Sequence, residues 1–165
     1  MDVAPLEDVA GQYREALLAV WRRLAGEGRE CSGAVYKDGS YSFCRCDAAS
    51  AKVDGGSAFI WHSHPGGALA LSQEDWLCFF CSEAAVTALF TRRGILVLRK
   101  KARHALLREK LLECAGEFRG YPSVVFCKMA SCVGAFFGAD LEAVPAGKWP
   151  EFFGVDHFVL RPPRR

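Results

Sequence analysis

The sequence predicts a single α/β domain, spanning residues 1–165, in which helices flank a mixed β-sheet. Its 165 residues are too few for two independently cored domains. Hydrophobic residues make up 51% of the chain, which excludes intrinsic disorder and allows a sizeable core. Stretches with a helical period of apolar residues are interspersed with short β-type runs, and this combination favours a sheet covered by helices.

The helices are predicted from apolar periodicity and from residues that start or stop a helix. An apolar pattern at helical spacing begins at Leu6 and is ended by Gly26 and Gly28. Ser72 is placed to cap a helix that runs to about Glu83. The predicted helices are residues 6–25, 73–83 and 103–114.

The strands are predicted from short apolar runs bounded by turn residues. Residues 37–40 contain an Asp-Gly pair, which is a strong signal for a β-hairpin. The run that starts at Ser57 is stopped by Pro65 and the two glycines that follow it. The predicted strands are residues 31–36, 41–46, 57–64, 86–90, 94–98, 124–129 and 158–160.

Charge and hydropathy narrow the class of function. The net charge of +2 is too small to imply nucleic-acid binding by itself. The apolar runs are far shorter than the ~20 residues that a spanning helix needs. The first ten residues are acidic and do not resemble a secretory signal. We therefore expect a cytoplasmic protein that binds neither a membrane nor nucleic acid.

The eight cysteines are expected to be reduced thiols, most of them packed as small hydrophobic residues. Two local pairs, Cys44 with Cys46 and Cys78 with Cys81, leave a second metal site open as an alternative. Four ligands in a CxxC…CxxC pattern would be typical of structural zinc, and that pattern is absent. Free thiols are the favoured interpretation.

A basic stretch covers residues 92–110, with eight Lys or Arg residues against the single acid Glu109. The simpler interpretation is a solvated helix face together with charges at strand ends. The alternative is a docking patch, for which an acidic protein surface competes with nucleic acid. Aromatic residues are not interleaved with these charges, as a single-strand binder would require.

The most informative segment joins the third predicted strand to the helix after it. His62 and His64 are two apart on a strand, so both imidazoles leave the same face. Pro65 ends the strand, and the paired glycines after it let the chain turn back sharply. Ser72 and Asp75 are three apart in the first helical turn and share a face. Two neutral imidazoles and one carboxylate that converge make a catalytic zinc set with a fourth position left for water.

Each half of this pattern also has a simpler explanation. A His-x-His sequence is often a chance pair. A serine followed three residues later by an aspartate at a helix start, as in Ser72 and Asp75, is often only a helix cap. Neither half would define a metal site alone, and the prediction depends on their joint spacing.

The joint spacing resembles the JAMM signature of the MPN/JAB metalloprotease family, which is His-x-His, seven residues, Ser, two residues, Asp. Residues 65–71 supply the seven. The family pattern also has an upstream glutamate that begins a strand in a Glu-x-x-Gly context, and Glu30 with Gly33 matches it. Glu27 is the near competitor, but it lacks the strand that should follow directly.

The resemblance implies a role for each matching residue. His62, His64 and Asp75 would hold one Zn²⁺ per chain. Glu30 would take a proton from the attacking water and later give it to the leaving amine, and Ser72 would help to stabilise the oxyanion. Ser63 faces the opposite way and is assigned no chemistry.

The resemblance also implies a fold and a substrate class. A long insertion that follows the metal motif in eukaryotic members looks absent, so the expected fold is a single, compact JAB/MPN domain similar to bacterial members. The expected function is that of a deubiquitinase-like zinc isopeptidase or peptidase, which cuts after the C-terminal tail of a ubiquitin-like protein. Its partners would be that protein or its conjugates, together with associated activating and conjugating enzymes. One alternative is a JAMM peptidase for sulfur-carrier processing, phage-tail or cell-wall hydrolysis. The other is a non-catalytic MPN scaffold.

Overall fold

A computed structural model of the protein describes residues 4–45, 57–117, 122–138 and 143–163. They form a mixed α/β structure with a six-stranded sheet. The strands are β1 Cys31–Tyr36, β2 Cys44–Arg45, β3 Ser57–His64, β4 Val86–Thr91, β5 Gly94–Arg99 and β6 Asp156–Leu160. The helices are α1 Leu6–Gln12, α2 Arg14–Leu24, α3 Gln73–Cys81, α4 His104–Glu117, α5 Pro122–Phe137 and α6 Trp149–Phe153.

The sheet has the order β2-β1-β3-β4-β5-β6. Strands β3 and β4 pair in parallel, and the other four pairings are antiparallel. A parallel pair needs a crossover connection, and α3 lies in the chain between β3 and β4. The mixed sheet with helices that the sequence predicts is therefore confirmed.

Contacts divide the described residues into two compact units. The first contains the sheet with α1 and α2 and consists of residues 4–45, 57–70, 84–99 and 156–163. Its core packs Leu17 and Val20 of α2, both fully buried, with Phe59, Trp61 and Phe90 of the sheet. Successive side chains of a strand alternate between faces, so the even-numbered residues of β3 lie on the face opposite this core.

The second unit is helical and consists of residues 71–83, 100–117, 122–138 and 143–155. Its core is a cluster of aromatic rings. The ring of Phe80 meets that of Phe153 edge-on at 5.1 Å and stacks on the imidazole of His104 at 5.6 Å. Trp76 meets Phe153 at 4.8 Å. These side chains are almost completely buried and join α3, α4 and α6.

Most strand predictions are confirmed. Strands β1 and β3 have the predicted bounds, and β4, β5 and β6 differ from prediction by one or two residues. The predicted hairpin turn is present, with the Tyr36 N–H donating to the Ser40 carbonyl at 2.8 Å. Gly39 in this turn has a φ of +86°, a conformation that glycine adopts without strain.

Several boundaries differ from prediction. The helix predicted over residues 6–25 is two helices that meet at Tyr13, whose ring packs edge-on against Phe59 at 4.9 Å. The strand predicted over 41–46 is confined to β2 and an isolated bridge at Tyr41, and residue 46 lies outside the described residues. Helix α3 ends at Cys81, two residues before its predicted end. Helix α4 ends at Glu117, three residues after its predicted end.

The predicted strand 124–129 is wrong, because these residues belong to α5. The apolar run there continues to Phe137, which makes it far longer than a typical strand of five or six residues. Pro122 stands at the first position of this helix, where its missing N–H costs nothing. The short helix α6 was not predicted. Among the helices of the described ranges, none combines the length and the apolar character needed to cross a bilayer.

Candidate functional site

The two histidines of the motif stand near the end of β3, in the first unit. Strand β3 is flanked by β1 and β4, and His62 is paired with Ser32 on one side and with Leu89 on the other. The two imidazole centroids of His62 and His64 are 5.0 Å apart, as strand alternation predicts for side chains that share a face. Both side chains are half-buried.

Ser63, between the histidines, points to the opposite face and is only 3% exposed. Its hydroxyl oxygen accepts a hydrogen bond from the backbone N–H of Cys31 at 2.9 Å, and the hydroxyl lies 3.5 Å from the Cys31 carbonyl. The orientation predicted for Ser63 is therefore confirmed. This hydrogen bond connects Cys31, the first residue of β1, to strand β3.

Glu30 directly precedes Cys31 and is exposed. Position 30 is two residues before Ser32, the partner of His62, so strand alternation assigns it to the histidine face of the sheet. The glycine of the Glu-x-x-Gly pattern has a packing role. A Cβ on Gly33 would come within 2.8 Å of the Trp61 indole and against the Ser42 carbonyl.

Glu27, the competing glutamate, is half-buried. It lines a cavity of the first unit that His64 also lines, whereas Glu30 does not line that cavity. Glu27 thus shares a cavity lining with His64, and Glu30 shares the histidine face of the sheet by strand alternation. The choice of Glu30 over Glu27 as the base stays a prediction.

The loop after β3 packs closely against the second histidine. The Gly67 N–H donates to the His64 carbonyl at 3.2 Å, and a Cβ on Gly67 would lie 2.8 Å from the His64 Cβ. Neither Gly66 nor Gly67 has a positive φ. The sharp turn predicted after Pro65 is present without a positive φ at either glycine, and Gly67 is required there because a side chain would collide with that of His64.

Ser72 and Asp75 form a complete capping box at the start of α3, in the second unit. The Ser72 hydroxyl accepts from the Asp75 N–H at 3.1 Å, and the Ser72 N–H donates to Asp75 Oδ2 at 2.9 Å. Ser72 and Asp75 therefore do act as a helix cap, which is the simpler explanation for this pair. Both side chains can still make further interactions, because a carboxylate has about four lone-pair sites and the serine hydroxyl can also donate a hydrogen bond.

His62, His64 and Asp75 make up a group that could hold a metal ion. Two imidazole nitrogens and a carboxylate oxygen are suitable ligands for Zn²⁺ and leave room for a fourth ligand. Within the described ranges, no other trio of His, Cys, Asp or Glu residues qualifies. The donor set therefore fits the predicted metal in ligand type and in number.

The described cysteines are free thiols, in agreement with the prediction. The expectation that most are packed as small hydrophobic residues is wrong for the five described, because only Cys31 is buried and Cys44 and Cys78 are exposed. Burial raises the pKa of Cys81 to about 11. A raised pKa disfavours the thiolate that nucleophiles and metal ligands need. Cys46 lies outside the described residues.

The basic stretch 92–110 has no uniform role. Arg99 pairs with Asp156 at 3.1 Å and donates to the Ala4 carbonyl, while Lys100 donates to two carbonyls at the end of α3. Arg103 and Arg108 likewise donate to backbone carbonyls of the second unit. These four cations therefore have structural partners. Arg92 and Arg93 differ, because they are exposed and line the cavity of the first unit.

No protein-family model, curated protein or solved structure matches the chain significantly.

Proposed function

We propose that this chain is a JAMM-type zinc metallopeptidase of the MPN/JAB family. Its reaction would be the hydrolysis of the peptide or isopeptide bond that follows the C-terminal tail of a ubiquitin-like protein. The observation that carries the proposal is the donor group of His62, His64 and Asp75. The spacing of these residues is the JAMM spacing, and Ser72 and Glu30 fill the remaining positions of the pattern.

In this proposal the metal is one Zn²⁺ per chain, held by the two imidazoles and the Asp75 carboxylate. A bound zinc ion supplies Lewis acidity, which polarises a carbonyl and lowers the pKa of water from 15.7 towards about 7. The capping box supports the carboxylate, because the Ser72 N–H holds Asp75 Oδ2 at 2.9 Å. Because this hydrogen bond already orients the Asp75 carboxylate, the side chain would lose less entropy on binding the zinc ion.

Glu30 would act as the general base and acid. Its carboxylate would accept a proton from the attacking water and return it to the leaving nitrogen. It is exposed and therefore accessible to water, and the Ser63–Cys31 hydrogen bond fixes the backbone beside it. The Ser72 hydroxyl would donate a hydrogen bond to the developing oxyanion, while its oxygen accepts from the Asp75 N–H.

The proposed substrate is an extended tail that ends in glycine. Extended peptides bind beside sheet strands through backbone hydrogen bonds. The family resemblance implies a narrow groove over the metal that would exclude side chains larger than that of glycine. The partners are then the ubiquitin-like protein, its conjugates and the enzymes that activate and conjugate it. The proposed location is the cytoplasm.

The test is cleavage of a folded ubiquitin-like protein, encoded beside this chain's gene and fused through its tail to a reporter. Mass spectrometry would follow the products formed by zinc-loaded wild type and by Glu30→Ala. We expect one cut after the terminal glycine with the wild type and none with Glu30→Ala. Casein should remain intact. Cutting at other positions, or equal cutting of casein, would favour a JAMM peptidase with a different substrate.

A non-catalytic MPN scaffold is the second candidate, and one observation favours it. The capping box accounts for Ser72 and Asp75 without any metal. A scaffold would bind partners without hydrolysing them and would not need zinc. The absence of zinc from chelator-free protein, together with no cleavage of the fusion, would establish this candidate over the peptidase.

A further inference from the structure

The first unit contains a cavity of about 610 Å³ that His64 lines and that extends well beyond the residues of the proposed catalytic site. It is bounded by the end of α2 with the loop after it, by the ends of β3 and β4, and by the segment that follows β6. We call it the basic cavity, because Arg29, Arg92, Arg93 and Arg161 line it against the single acid Glu27. All four arginines are exposed.

The arginines are available to a ligand. Ion pairs of the described residues include Arg99 with Asp156, Arg108 with Glu83 and Lys148 with Glu151, and within the described residues none is found for the four arginines of the basic cavity. Arg161 donates one hydrogen bond to the Arg93 carbonyl at 3.3 Å, which brings two of the cationic segments together. Unpaired cations around a concavity attract an anionic ligand and increase its rate of association.

The same cavity has apolar walls. Leu24 and Trp21 of α2 are half-buried there, and Phe90 of β4 is 1% exposed. Apolar walls together with exposed arginines are typical of a protein–protein interface, in which aromatic residues and arginine are enriched.

We propose that the basic cavity binds an acidic peptide segment that carries aliphatic side chains. The aliphatic side chains would contact Leu24 and Trp21, and the carboxylates would meet the arginines. The cations come from three separate parts of the chain, at positions 29, 92–93 and 161, which suits charges spread along an extended ligand. A site for a small anion would instead use buried donors or backbone N–H groups that converge on one point.

A nucleic acid is the less suitable ligand. Single strands bind to successive exposed aromatic faces, and in this cavity the Phe90 ring is buried while Trp21 is the one partly exposed aromatic residue. The proposal does not depend on catalysis, so the basic cavity can bind its peptide whether or not the chain is a peptidase.

The probe is a fluorescein-labelled octapeptide of alternating leucine and glutamate or aspartate residues, followed by fluorescence anisotropy. Its counterpart has glutamine and asparagine in place of the acids. The test variant combines Arg92→Glu with Arg93→Glu, two exposed residues in the turn after β4. The matched control combines Arg14→Glu with Lys37→Glu, which are exposed, lie in the same unit and do not line the cavity, so that net charge changes equally.

We expect the acidic peptide to bind the wild type and to lose at least about tenfold in affinity with the test variant, because rim cations face their anions directly. The control pair should change the affinity by less than about twofold, because salt screens the effect of charges that are distant from the peptide. The proposal is overturned by an acidic peptide that does not bind or binds no better than its amide counterpart. It is also overturned by equal losses in the two variants, or by a single-stranded oligonucleotide that binds the cavity more tightly than the peptide.

Discussion

Ser63 and Cys31 are joined by a buried hydrogen bond in which the backbone N–H of Cys31 donates to the Ser63 hydroxyl oxygen at 2.9 Å. The residue between the two candidate metal ligands therefore holds the first residue of the neighbouring strand. Glu30, the proposed base, is the next residue towards the N-terminus. This bond makes Ser63 a positioning residue for Glu30, although the serine itself points away from the histidine face.

Replacing Ser63 by alanine should lower both stability and turnover. The Cys31 N–H would lose its acceptor in a buried position, which costs about 1–3 kcal/mol. Ser42→Ala is a matched control, because the Ser42 hydroxyl also accepts from a β1 backbone N–H, that of Ala34 at 2.9 Å. Urea unfolding should show losses of similar size for both variants. Turnover by the folded protein should fall for Ser63→Ala alone, and equal turnover in the two variants would contradict the positioning role.

Metal content tests the donor group directly. The chelator-free wild type should contain about one zinc per chain, as three protein ligands and an open position predict. His62→Ala should lose most of it, as measured by elemental analysis. His157→Ala removes an exposed histidine of β6 that is outside the group, and this variant should retain the metal. Full zinc retention by His62→Ala would refute the assignment of this histidine as a ligand.

Two substitutions at Asp75 separate its capping role from its role as a ligand. Asparagine can still accept the Ser72 N–H that now bonds to Asp75 Oδ2, but it lacks the negative charge. Asp75→Asn should therefore lose zinc and remain nearly as stable as metal-free wild type. Asp75→Ala should lose zinc and also about 0.5–2 kcal/mol from the damaged cap. If Asp75→Asn binds zinc as the wild type does, capping is the sole role of this residue.

The strands and the motif could be predicted because their signals are local. The Asp-Gly turn after β1 and the proline after β3 predicted where these strands end, and strand alternation predicted that His62 and His64 share a face. The capping box at Ser72 was equally visible, since it depends on two residues three apart. The relative positions of residues two or three apart are determined by the strand or helix that contains them, so the sequence is enough to predict them.

What could not be predicted depends on tertiary packing. The apolar residues that begin α5 fit a strand or a buried helix equally well, and periodicity alone does not separate the two. Gly67 looked like a turn residue, but its necessity comes from contact with the His64 side chain. The basic cavity unites residues from distant parts of the chain, and no window of sequence contains them together.

Substituting the two glutamates identifies the base. Glu30→Ala should abolish turnover and leave zinc content and thermal stability unchanged, because the side chain is exposed and is not a ligand. Glu27→Ala is the matched comparison and should retain turnover. The reverse pattern, with Glu27→Ala inactive and Glu30→Ala active, would move the role of base to Glu27 and to the cavity that it lines.

The pH dependence of stability should depend on His104 in the helical unit. Its Nδ1 accepts from the Lys101 N–H at 2.8 Å, and its Nε2 lies 2.9 Å from the Phe153 carbonyl, which suits a neutral ring protonated at Nε2. Burial lowers the pKa of His104 below its usual 6.5. Well above pH 6.5 the ring is neutral in both the folded and the unfolded state, and its contribution to stability is complete. As the pH falls below 6.5 towards the folded-state pKa, the unfolded chain binds a proton that the folded chain resists, so the free energy of unfolding decreases.

The measurement is the free energy of unfolding of metal-free protein, obtained by urea unfolding between about pH 5 and pH 8. This range brackets the usual histidine pKa of about 6.5. His104→Gln removes the titrating group and retains an amide that can donate to the Phe153 carbonyl, so its stability should decrease less steeply below pH 6.5 than that of the wild type. His157→Gln, at an exposed position, should follow the wild-type slope. The comparison uses slopes because the lost stacking on Phe80 lowers the stability of His104→Gln at every pH. Parallel curves for the wild type and His104→Gln would show that His104 does not cause the acid sensitivity.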